Sequence, residues 1–266
     1  MTNTTRTETS AGQTESRSEK STFSFLCLRD KIAVVTGASS GIGKSIALAL
    51  ADEGIQVCLV GRRRETLEEV AKLSHEQSPL SRVYCADLTR DEDIHSLVAD
   101  LERNGGRVDV LVHCAGEIHH ADHASALLAD FDAQYRANVR GPYLLTQKLL
   151  PLLRRGPGQV VFINSSNGLR AQARTGQFAA TQHAMKAITE SLREEVNADG
   201  IRVLCVYPGR TATPRTEQLF REELKPYRPE LLLQAEDVAA MVVQSLKIPR
   251  TAEVTEISIR SLHKSY

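Results

Sequence analysis

The stretch that decides the fold reads KIAVVTGASSGIGKSIALAL and runs from Lys31 to Leu50. An apolar run typical of a strand ends at Thr36, and a helical pattern begins at Gly43. Between them, Gly37 and Gly41 allow tight turning and let backbone amides approach a pyrophosphate at the helix N-terminus. A motif of spaced glycines alone is weak evidence, but this one follows a strand, opens a helix and begins a βαβ unit. The stretch therefore predicts a dinucleotide-binding fold.

The same alternation of strand and helix continues to the end of the chain. The predicted strands are Ile32–Thr36, Val57–Val60, Val83–Cys85, Val108–His113, Val160–Asn164, Val203–Tyr207 and Thr255–Ile259. The helical patterns between them include Gly43–Glu53, Arg64–Ser74, Asp91–Asn104, Asp130–Arg154 and Phe178–Glu195. The strand runs are continuously apolar, so both faces of the sheet are expected to be covered. The sequence predicts an α/β fold with one domain, a Rossmann-type doubly wound parallel sheet of about seven strands flanked by helices.

Composition narrows the classes of function. With 266 residues, 41% of them hydrophobic, the chain can bury one substantial core. A single domain is therefore predicted, over residues 27–266. Lys plus Arg number 33 and so do Asp plus Glu, so the charge balance gives no reason to expect a nucleic-acid partner. No apolar run is long enough for a membrane span. The five cysteines are widely spaced without a CxxC pair, which favours a reducing cytoplasm.

The N-terminal segment differs in composition from the rest of the chain. Its first 22 residues are about half Ser and Thr and contain almost nothing to bury, which predicts a disordered polar tail over residues 1–26. Three acidic residues (Glu8, Glu15 and Glu19) and the lack of an apolar face argue against a targeting sequence.

The glycine turn is spaced TGxxxGxG from Thr36 to Gly43, and further landmarks follow it in order. These are Asp87-Leu88, His113-Cys114-Ala115-Gly116, Asn138, and Pro208-Gly209 with Thr213 beyond. With them, the chain from about Leu28 to near Arg260 resembles the short-chain dehydrogenase/reductase family. The resemblance implies a nicotinamide-dependent oxidoreductase acting on a small molecule. It also implies that the cofactor is held by Gly37, Ser39, Ser40, Gly41, Ile42, Gly43, Arg62, Asp87, Leu88, Cys114, Ala115, Gly116, Pro208, Gly209 and Thr213.

The residues after the second predicted strand bear on the choice of cofactor. They read Val60-Gly61-Arg62-Arg63-Arg64. An NAD enzyme places an acid here to accept a hydrogen bond from the ribose 2′-hydroxyl, whereas an arginine suits a 2′-phosphate. Gly61 leaves no acid at the key position and Arg62 follows it, so the sequence favours NADP(H) over NAD(H). The alternative interpretation is a solvated basic turn.

The predicted catalytic centre departs from the family pattern. Family members carry a Ser after the fifth strand and, 13 residues later, a Tyr-x-x-x-Lys pair in which the Tyr transfers a proton and the Lys lowers its pKa. Here FAATQHAMKAITESLREE matches that region with Phe178 for Tyr and Gln182 for Lys. Spacing favours Ser165 as the active-site serine, while motif position leaves Ser166 open. Asn138 corresponds to the family's structural and catalytic Asn.

Phe178 has no ionisable group, so it cannot donate a proton to a nascent alkoxide. General acid catalysis contributes about 10²–10⁴-fold, and its loss should disable ordinary carbonyl reduction. Three hypotheses remain. In the first, the chain is an enzyme with unusual chemistry, such as hydride transfer to an iminium or a redirected reaction. In the second, it is a silent cofactor-binding protein that acts as a sensor or partner subunit. In the third, it is a slow dehydrogenase that uses Ser165 and water. Candidate replacement groups are Tyr143, Tyr207, His113, His119, His120 and His183.

Two further segments flank this centre. The loop EIHHADH, Glu117–His123, has residue types that bind metals, but its spacing matches no standard zinc pattern, so a polar loop without a metal is predicted. The segment from Thr211 to Gln234 resembles the family's substrate lid, which closes over the substrate and excludes water. The resemblance also implies a homodimer or homotetramer, formed through the helices around Asp130–Arg154 and Phe178–Glu195.

Overall fold

Seven parallel strands form a single sheet in the computed structural model, which describes residues 1–2 and 25–262. The strands are β1 Ile32–Thr36, β2 Gln56–Gly61, β3 Arg82–Cys85, β4 Val110–His113, β5 Gln159–Ile163, β6 Arg202–Pro208 and β7 Glu256–Ile259. Their order across the sheet is β3-β2-β1-β4-β5-β6-β7. The predicted Rossmann-type α/β fold is confirmed. Apart from residues 1–2 and 25–26, the predicted polar tail lies outside the described residues.

Helices cover both faces of the sheet. They are α1 Gly41–Asp52, α2 Arg64–Ser74, α3 Asp91–Arg103, α4 Leu128–Tyr135, α5 Gly141–Leu153, α6 Gly176–Val196, α7 Pro214–Glu222 and α8 Ala235–Lys247. Successive strand residues point to opposite faces, so Val34 joins the core under α5 with Leu145, while Val35 joins the core under α1 with Ile46. Among the described residues, no helix combines the length and apolar content that crossing a membrane requires.

The edge strands depart from the predicted burial. The central strands are buried along almost their whole length, as expected for a sheet covered on both faces. β3 is exposed at both ends, and exposed residues alternate with half-buried ones in β7, so the expectation of full coverage is wrong for these two strands. Each has a neighbouring strand on one side only, and the helices reach less of its outer surface.

One predicted helix is interrupted. The pattern over Asp130–Arg154 suggested a continuous helix, but a π-helical turn at Arg136–Arg140 separates α4 from α5. The turn carries Asn138, whose side chain bonds outside the helix, and it is followed by Gly141, packed against the carbonyl of Leu88. Apolar periodicity does not distinguish such a turn from regular helix. Smaller differences occur at strand ends, where β4 begins two residues later and β5 ends one residue earlier than predicted.

The order of the strands creates the crevice in which the site lies. β1 pairs with β2 on one side and with β4 on the other, so the chain changes direction across the sheet between β1 and β4. Ligands of doubly wound folds bind at this switch point, outside the carboxyl ends of the strands. The glycine turn follows β1 and residues 114–116 follow β4, so the fold places both at this crevice.

Candidate active site

The glycine turn has no room for side chains. A Cβ atom on Gly37, whose φ is +66°, would lie 2.8 Å from the backbone nitrogen of Ala115. A Cβ on Gly43 would lie 2.3 Å from the carbonyl oxygen of Gly37, and one on Gly41 would lie 3.0 Å from Cγ2 of Thr213. The turn therefore packs directly against the loop after β4 and against the segment after β6. This is the close backbone packing that a pyrophosphate-binding turn requires.

The start of α1 is open to an anion. Ser40 is the N-cap residue, but its side chain makes no capping bond, and the first turn of the helix contains no acidic residue. The first backbone N–H groups of a helix have no partner within it, and the helix dipole places partial positive charge there. Ser39 and Ile42 are half-buried beside this opening, whereas Ser40 is exposed. The arrangement fits the pyrophosphate of a dinucleotide.

Thr36 fixes the loop after β4 to the glycine turn. Its hydroxyl accepts hydrogen bonds from the backbone nitrogens of Cys114, at 3.0 Å, and Ala115, at 3.2 Å, and donates to the carbonyl of Val112. The sequence identified Thr36 only as the end of a strand. A hydroxyl residue immediately before the first glycine was the available signal, but its partners lie 76–79 residues away in the chain.

Arg62 is available to bind a phosphate. It lies just beyond β2 with a side chain 60% exposed, and its guanidinium lies 3.4 Å from the carboxylate of Glu117. An exposed pair of this kind contributes little stability, so an incoming anion can replace Glu117 at small cost. Asp87 lies beyond β3, where its Oδ1 accepts hydrogen bonds from the backbone and hydroxyl of Thr89. The adjacent Leu88 is buried.

The segment after β6 completes the crevice. The backbone nitrogen of Gly209 donates to the carbonyl of Ile259 at 2.8 Å, which continues the sheet beyond Pro208. Thr213 is the N-cap of α7, where its hydroxyl accepts a hydrogen bond from the backbone of Thr216. The fold therefore brings together the predicted cofactor residues that follow β1, β4 and β6.

Asn138 joins three elements. Its Oδ1 accepts a hydrogen bond from the backbone nitrogen of Glu117 at 2.7 Å, and its Nδ2 donates to the carbonyl of the same residue at 2.8 Å. The same amide nitrogen lies 3.1 Å from Oγ1 of Thr181 in α6. The π-helical turn thus presents this side chain to the loop after β4 and to α6. π-Helical turns occur frequently at functional sites.

We expect Asn138→Ala to lower the free energy of unfolding by about 1–3 kcal/mol, because it leaves polar groups of the backbone without their partners. Asn138→Asp keeps an acceptor for the backbone nitrogen of Glu117. Its free energy of unfolding should therefore fall by less than that of Asn138→Ala. Urea denaturation of the three proteins measures the difference. Equal stability of Asn138→Ala and the unmodified protein would contradict this role.

Phe178 and Gln182 are built into the packing of α6. Both are about 5% exposed and lie one turn apart on the helix, as predicted. Nε2 of Gln182 donates to Oγ1 of Thr181 at 3.2 Å, and its backbone carbonyl accepts from the side chain of Asn164. The Phe178 ring lies 6.2 Å from the ring of His120, centroid to centroid. Neither position carries an ionisable group, so any proton exchanged here comes from another residue.

The two candidate serines share one short turn. Ser165 is the N-cap of a 3₁₀ turn at Ser166–Gly168, and its hydroxyl accepts a hydrogen bond from the backbone of Asn167 at 3.2 Å. Its own backbone nitrogen donates to Oδ1 of Asn164, the residue that bonds the carbonyl of Gln182. Both serines are half-buried. The preference for Ser165 stays a prediction.

Five of the six candidate replacement groups lie in unsuitable surroundings. His113 is stacked on Phe162, and burial lowers its pKa to about 3, so it stays neutral. Tyr207 is buried, its hydroxyl donates to Glu256, and burial raises its pKa. Tyr143 and His119 are exposed. His183 bonds the carbonyl of Ala179 within its own helix. Burial raises the pKa of the Cys114 thiol to about 12, so this thiol is protonated at neutral pH.

His120 is the remaining candidate, and it lies in a charged cluster. Its Nδ1 is 3.3 Å from Oε1 of Glu223, a carboxylate that also binds Arg210 and Lys225. Burial alone would raise the pKa of Glu223, but hydrogen bonds from Lys225 and Arg210 lower it to about 2, so Glu223 is ionised at neutral pH. Within the described residues, no three His, Cys, Asp or Glu side chains come together as a group able to hold a metal.

Residues 31–224 match the model of a family described as short chain dehydrogenase. The chain belongs to the short-chain dehydrogenase family. This short-chain dehydrogenase is 32% identical over 234 residues to an uncharacterized oxidoreductase of Staphylococcus epidermidis, with 88% of the chain and 98% of that protein aligned. The relative shares almost its full length with the present chain, so the resemblance extends well beyond the glycine turn.

Two solved structures share the fold of this short-chain dehydrogenase. One is an alcohol dehydrogenase from the archaeon Thermococcus sibiricus complexed with 5-hydroxy-NADP, which is 26% identical with a TM-score of 0.80, covering 90% of this chain and 99% of that one. The other is L-sorbose reductase from Gluconobacter frateurii complexed with NADPH and L-sorbose, which is 25% identical with a TM-score of 0.79, covering 87% and 95%. Both neighbours hold an NADP-type cofactor.

Proposed function

We propose that this short-chain dehydrogenase is an NADP(H)-dependent oxidoreductase whose substrate exchanges no proton with position 178. The observation that carries the proposal is the combination of a closely packed glycine turn after β1 with a buried phenyl ring, Phe178, at the position of the family's acidic hydroxyl. When bound, the nicotinamide supplies or accepts a hydride. The chain contributes the cofactor crevice, the packing of α6 and the polar groups that face the substrate.

The preference for NADP(H) over NAD(H) rests on charge. Arg62 lies beyond β2 with its guanidinium exposed, and Gly61 offers no carboxylate for a ribose 2′-hydroxyl. A guanidinium binds phosphate through charge-assisted hydrogen bonds, which are the stronger class of hydrogen bond. The NADP-type ligands of the two structural neighbours support the same choice.

Two kinds of substrate fit a site in which residue 178 has no exchangeable proton. An acceptor that is already cationic, such as an iminium, takes the hydride and needs no proton. A carbonyl or alcohol needs a proton donor or acceptor elsewhere in the site. Redirected chemistry without hydride transfer and a catalytically silent cofactor-binding protein are the competing outcomes.

The test is an assay of NADPH and NADH consumption against ketone, imine and enone panels, with the reverse reaction measured on alcohols and amines. We expect turnover with at least one class and a preference for the phosphorylated cofactor. Cofactor binding in an equilibrium titration, without turnover on any panel, would contradict the proposed activity and favour the silent protein.

We also propose a homodimer or homotetramer that uses the helices around residues 128–153. Leu128, Tyr135 and Tyr143 are between 49% and 77% exposed along α4 and α5. Apolar side chains of this size on neighbouring helices support a contact surface between copies.

A further inference from the structure

His120 has one ring nitrogen with a partner and one without. Nδ1 lies 3.3 Å from the carboxylate of Glu223, whereas Nε2 is fully buried and has no hydrogen-bond partner among the described residues. Buried polar atoms are nearly always hydrogen-bonded, so one without a partner calls for an explanation. The ring of His120 also lies against Phe178, the residue in place of the missing acid.

The protonation of the ring follows from Glu223. This carboxylate is ionised at neutral pH and can only accept hydrogen bonds. Nδ1 must therefore carry the ring proton in neutral His120, which leaves the lone pair on Nε2. A carboxylate that fixes the tautomer of a histidine in this way also stabilises the imidazolium when the other nitrogen takes a proton.

We propose that His120, oriented by Glu223, exchanges a proton with the substrate hydroxyl in place of the ring hydroxyl that Phe178 lacks. The inference rests on the proposed hydride transfer. In alcohol oxidation, the hydroxyl proton passes to Nε2, the carbon-bound hydrogen leaves as a hydride to NADP⁺, and a C=O bond forms. In the reverse direction the imidazolium returns the proton to the oxygen as the carbon receives hydride from NADPH.

Charged groups of both signs surround His120. Arg210 and Lys225 both bind Glu223, and Arg174 lies in the loop before α6, 3.8 Å from the carboxylate of Asp122. Glu223 lies 3.3 Å from the His120 ring and favours a positive charge there, whereas Arg210 and Arg174 oppose one. The substrate class follows from the proton exchange itself: it is an alcohol or carbonyl compound, because an iminium takes a hydride without a proton.

The position of Glu223 links proton exchange to the lid. Glu223 follows α7 in the segment from Thr211 to Gln234, whereas His120 belongs to the loop after β4. Opening of this segment would separate the pair and expose the crevice, and closure would bring the carboxylate back to Nδ1. The complete proton-exchanging pair then exists only when water is excluded, as in other enzymes whose lids assemble the site.

The charges around His120 also determine its pH dependence. Burial lowers the pKa of His120, the Glu223 carboxylate opposes that shift, and Arg210 and Arg174 reinforce it. The net shift is downward, so the neutral ring predominates at neutral pH. Alcohol oxidation, which needs the neutral ring, should rise with pH and level off above a pKa lower than the ordinary value of about 6.5. Carbonyl reduction, which needs the imidazolium, should fall as pH rises through the same pKa.

An NMR titration of the unmodified protein labelled with ¹⁵N-histidine tests the geometry without any substrate. The His120 signals, assigned from their loss in His120→Gln, should show the proton on Nδ1 and a pKa below about 6.5. Glu223→Gln should lower that pKa further and mix the tautomers, because it removes the opposing carboxylate. A proton fixed on Nε2, or no response to Glu223→Gln, would overturn the proposed pair.

Kinetics on the best substrate of the alcohol and ketone panels complete the test. We expect His120→Gln to lower kcat by about 10²–10⁴-fold with an unchanged Kd for NADPH. Added imidazole should restore part of the activity of His120→Ala. His95→Gln, on the exposed surface of α3, is the control that should retain full activity.

The outcomes of the kinetic test are distinct. Turnover by the unmodified protein with a change of less than threefold in His120→Gln would overturn the role of His120 and leave the proposed oxidoreductase intact. Turnover confined to iminium acceptors would also overturn that role. NADPH binding without turnover by the unmodified protein would overturn the proposed function and, with it, this inference.

Discussion

Gly43→Ala is expected to weaken NADPH binding by about 10²-fold and to lower the free energy of unfolding by about 1–3 kcal/mol. The new methyl group would lie 2.3 Å from the carbonyl oxygen of Gly37 and 2.8 Å from its carbonyl carbon. Both are backbone atoms, so relief requires the turn itself to move by about an ångström, a displacement that can cost this much in a well-oriented site. Fluorescence titration with NADPH and urea denaturation measure the two effects.

Gly156→Ala is the matched control for this substitution. A Cβ at Gly156 would meet its nearest atom, Oδ1 of Asp109, at 3.6 Å, an ordinary van der Waals distance. Surface changes of this kind usually alter stability by about 0.5 kcal/mol or less. If Gly43→Ala bound NADPH as tightly as Gly156→Ala, the glycine turn would not be the phosphate site.

The double substitution Gly61→Asp with Arg62→Ala is expected to reverse the cofactor preference, changing the ratio of NADPH to NADH affinity by about 10²–10⁴-fold. It removes one charge-assisted hydrogen bond to the 2′-phosphate and adds one to the ribose hydroxyl, each about 1.5–3 kcal/mol. A Cβ at Gly61 would lie 3.3 Å from Cδ2 of the buried Leu67 and would meet no backbone atom, so the Leu67 side chain must shift by a few tenths of an ångström. Dissociation constants for both cofactors give the ratio.

Arg64→Ala is the control for the loss of positive charge. Arg64 lies two residues from Arg62, is similarly exposed and pairs with Glu68 at 3.7 Å. It should leave the ratio of affinities within a few-fold of the unmodified value. A similar loss of NADPH affinity in both proteins would mean that the basic turn acts only through its overall charge, which was the alternative interpretation of the sequence.

The fold was predictable because its determinants are local. Continuous apolar runs such as Val160–Phe162 predict buried parallel strands, and the glycines from Gly37 to Gly43 predict the turn that follows the first strand. The helical pattern around Phe178 and Gln182 was also readable, and both residues lie one turn apart in α6. Each of these signals occupies fewer than about 20 adjacent residues.

The polar contacts of the site were not predictable, because they join distant parts of the chain. His120 and Glu223 are 103 residues apart, and only the folding of the segment after β6 brings them together. The sequence offered His120 as one of six candidates without a reason to prefer it. The structure disfavours His113 and Tyr207 because they are buried, and His183 because it bonds within its own helix. The π-helical turn at Asn138 was missed because an inserted residue disturbs the apolar periodicity of a helix too little to be noticed.

We expect this short-chain dehydrogenase to transfer a hydride although Phe178 has no exchangeable proton. The most direct measurement uses NADPH with deuterium at C4 of the nicotinamide, incubated with the ketone and imine panels and followed by mass spectrometry of the products. We expect deuterium on the reduced carbon of at least one product, with one NADP⁺ formed for each label transferred. Binding of NADPH at saturating concentration with no deuterium in any product would contradict it.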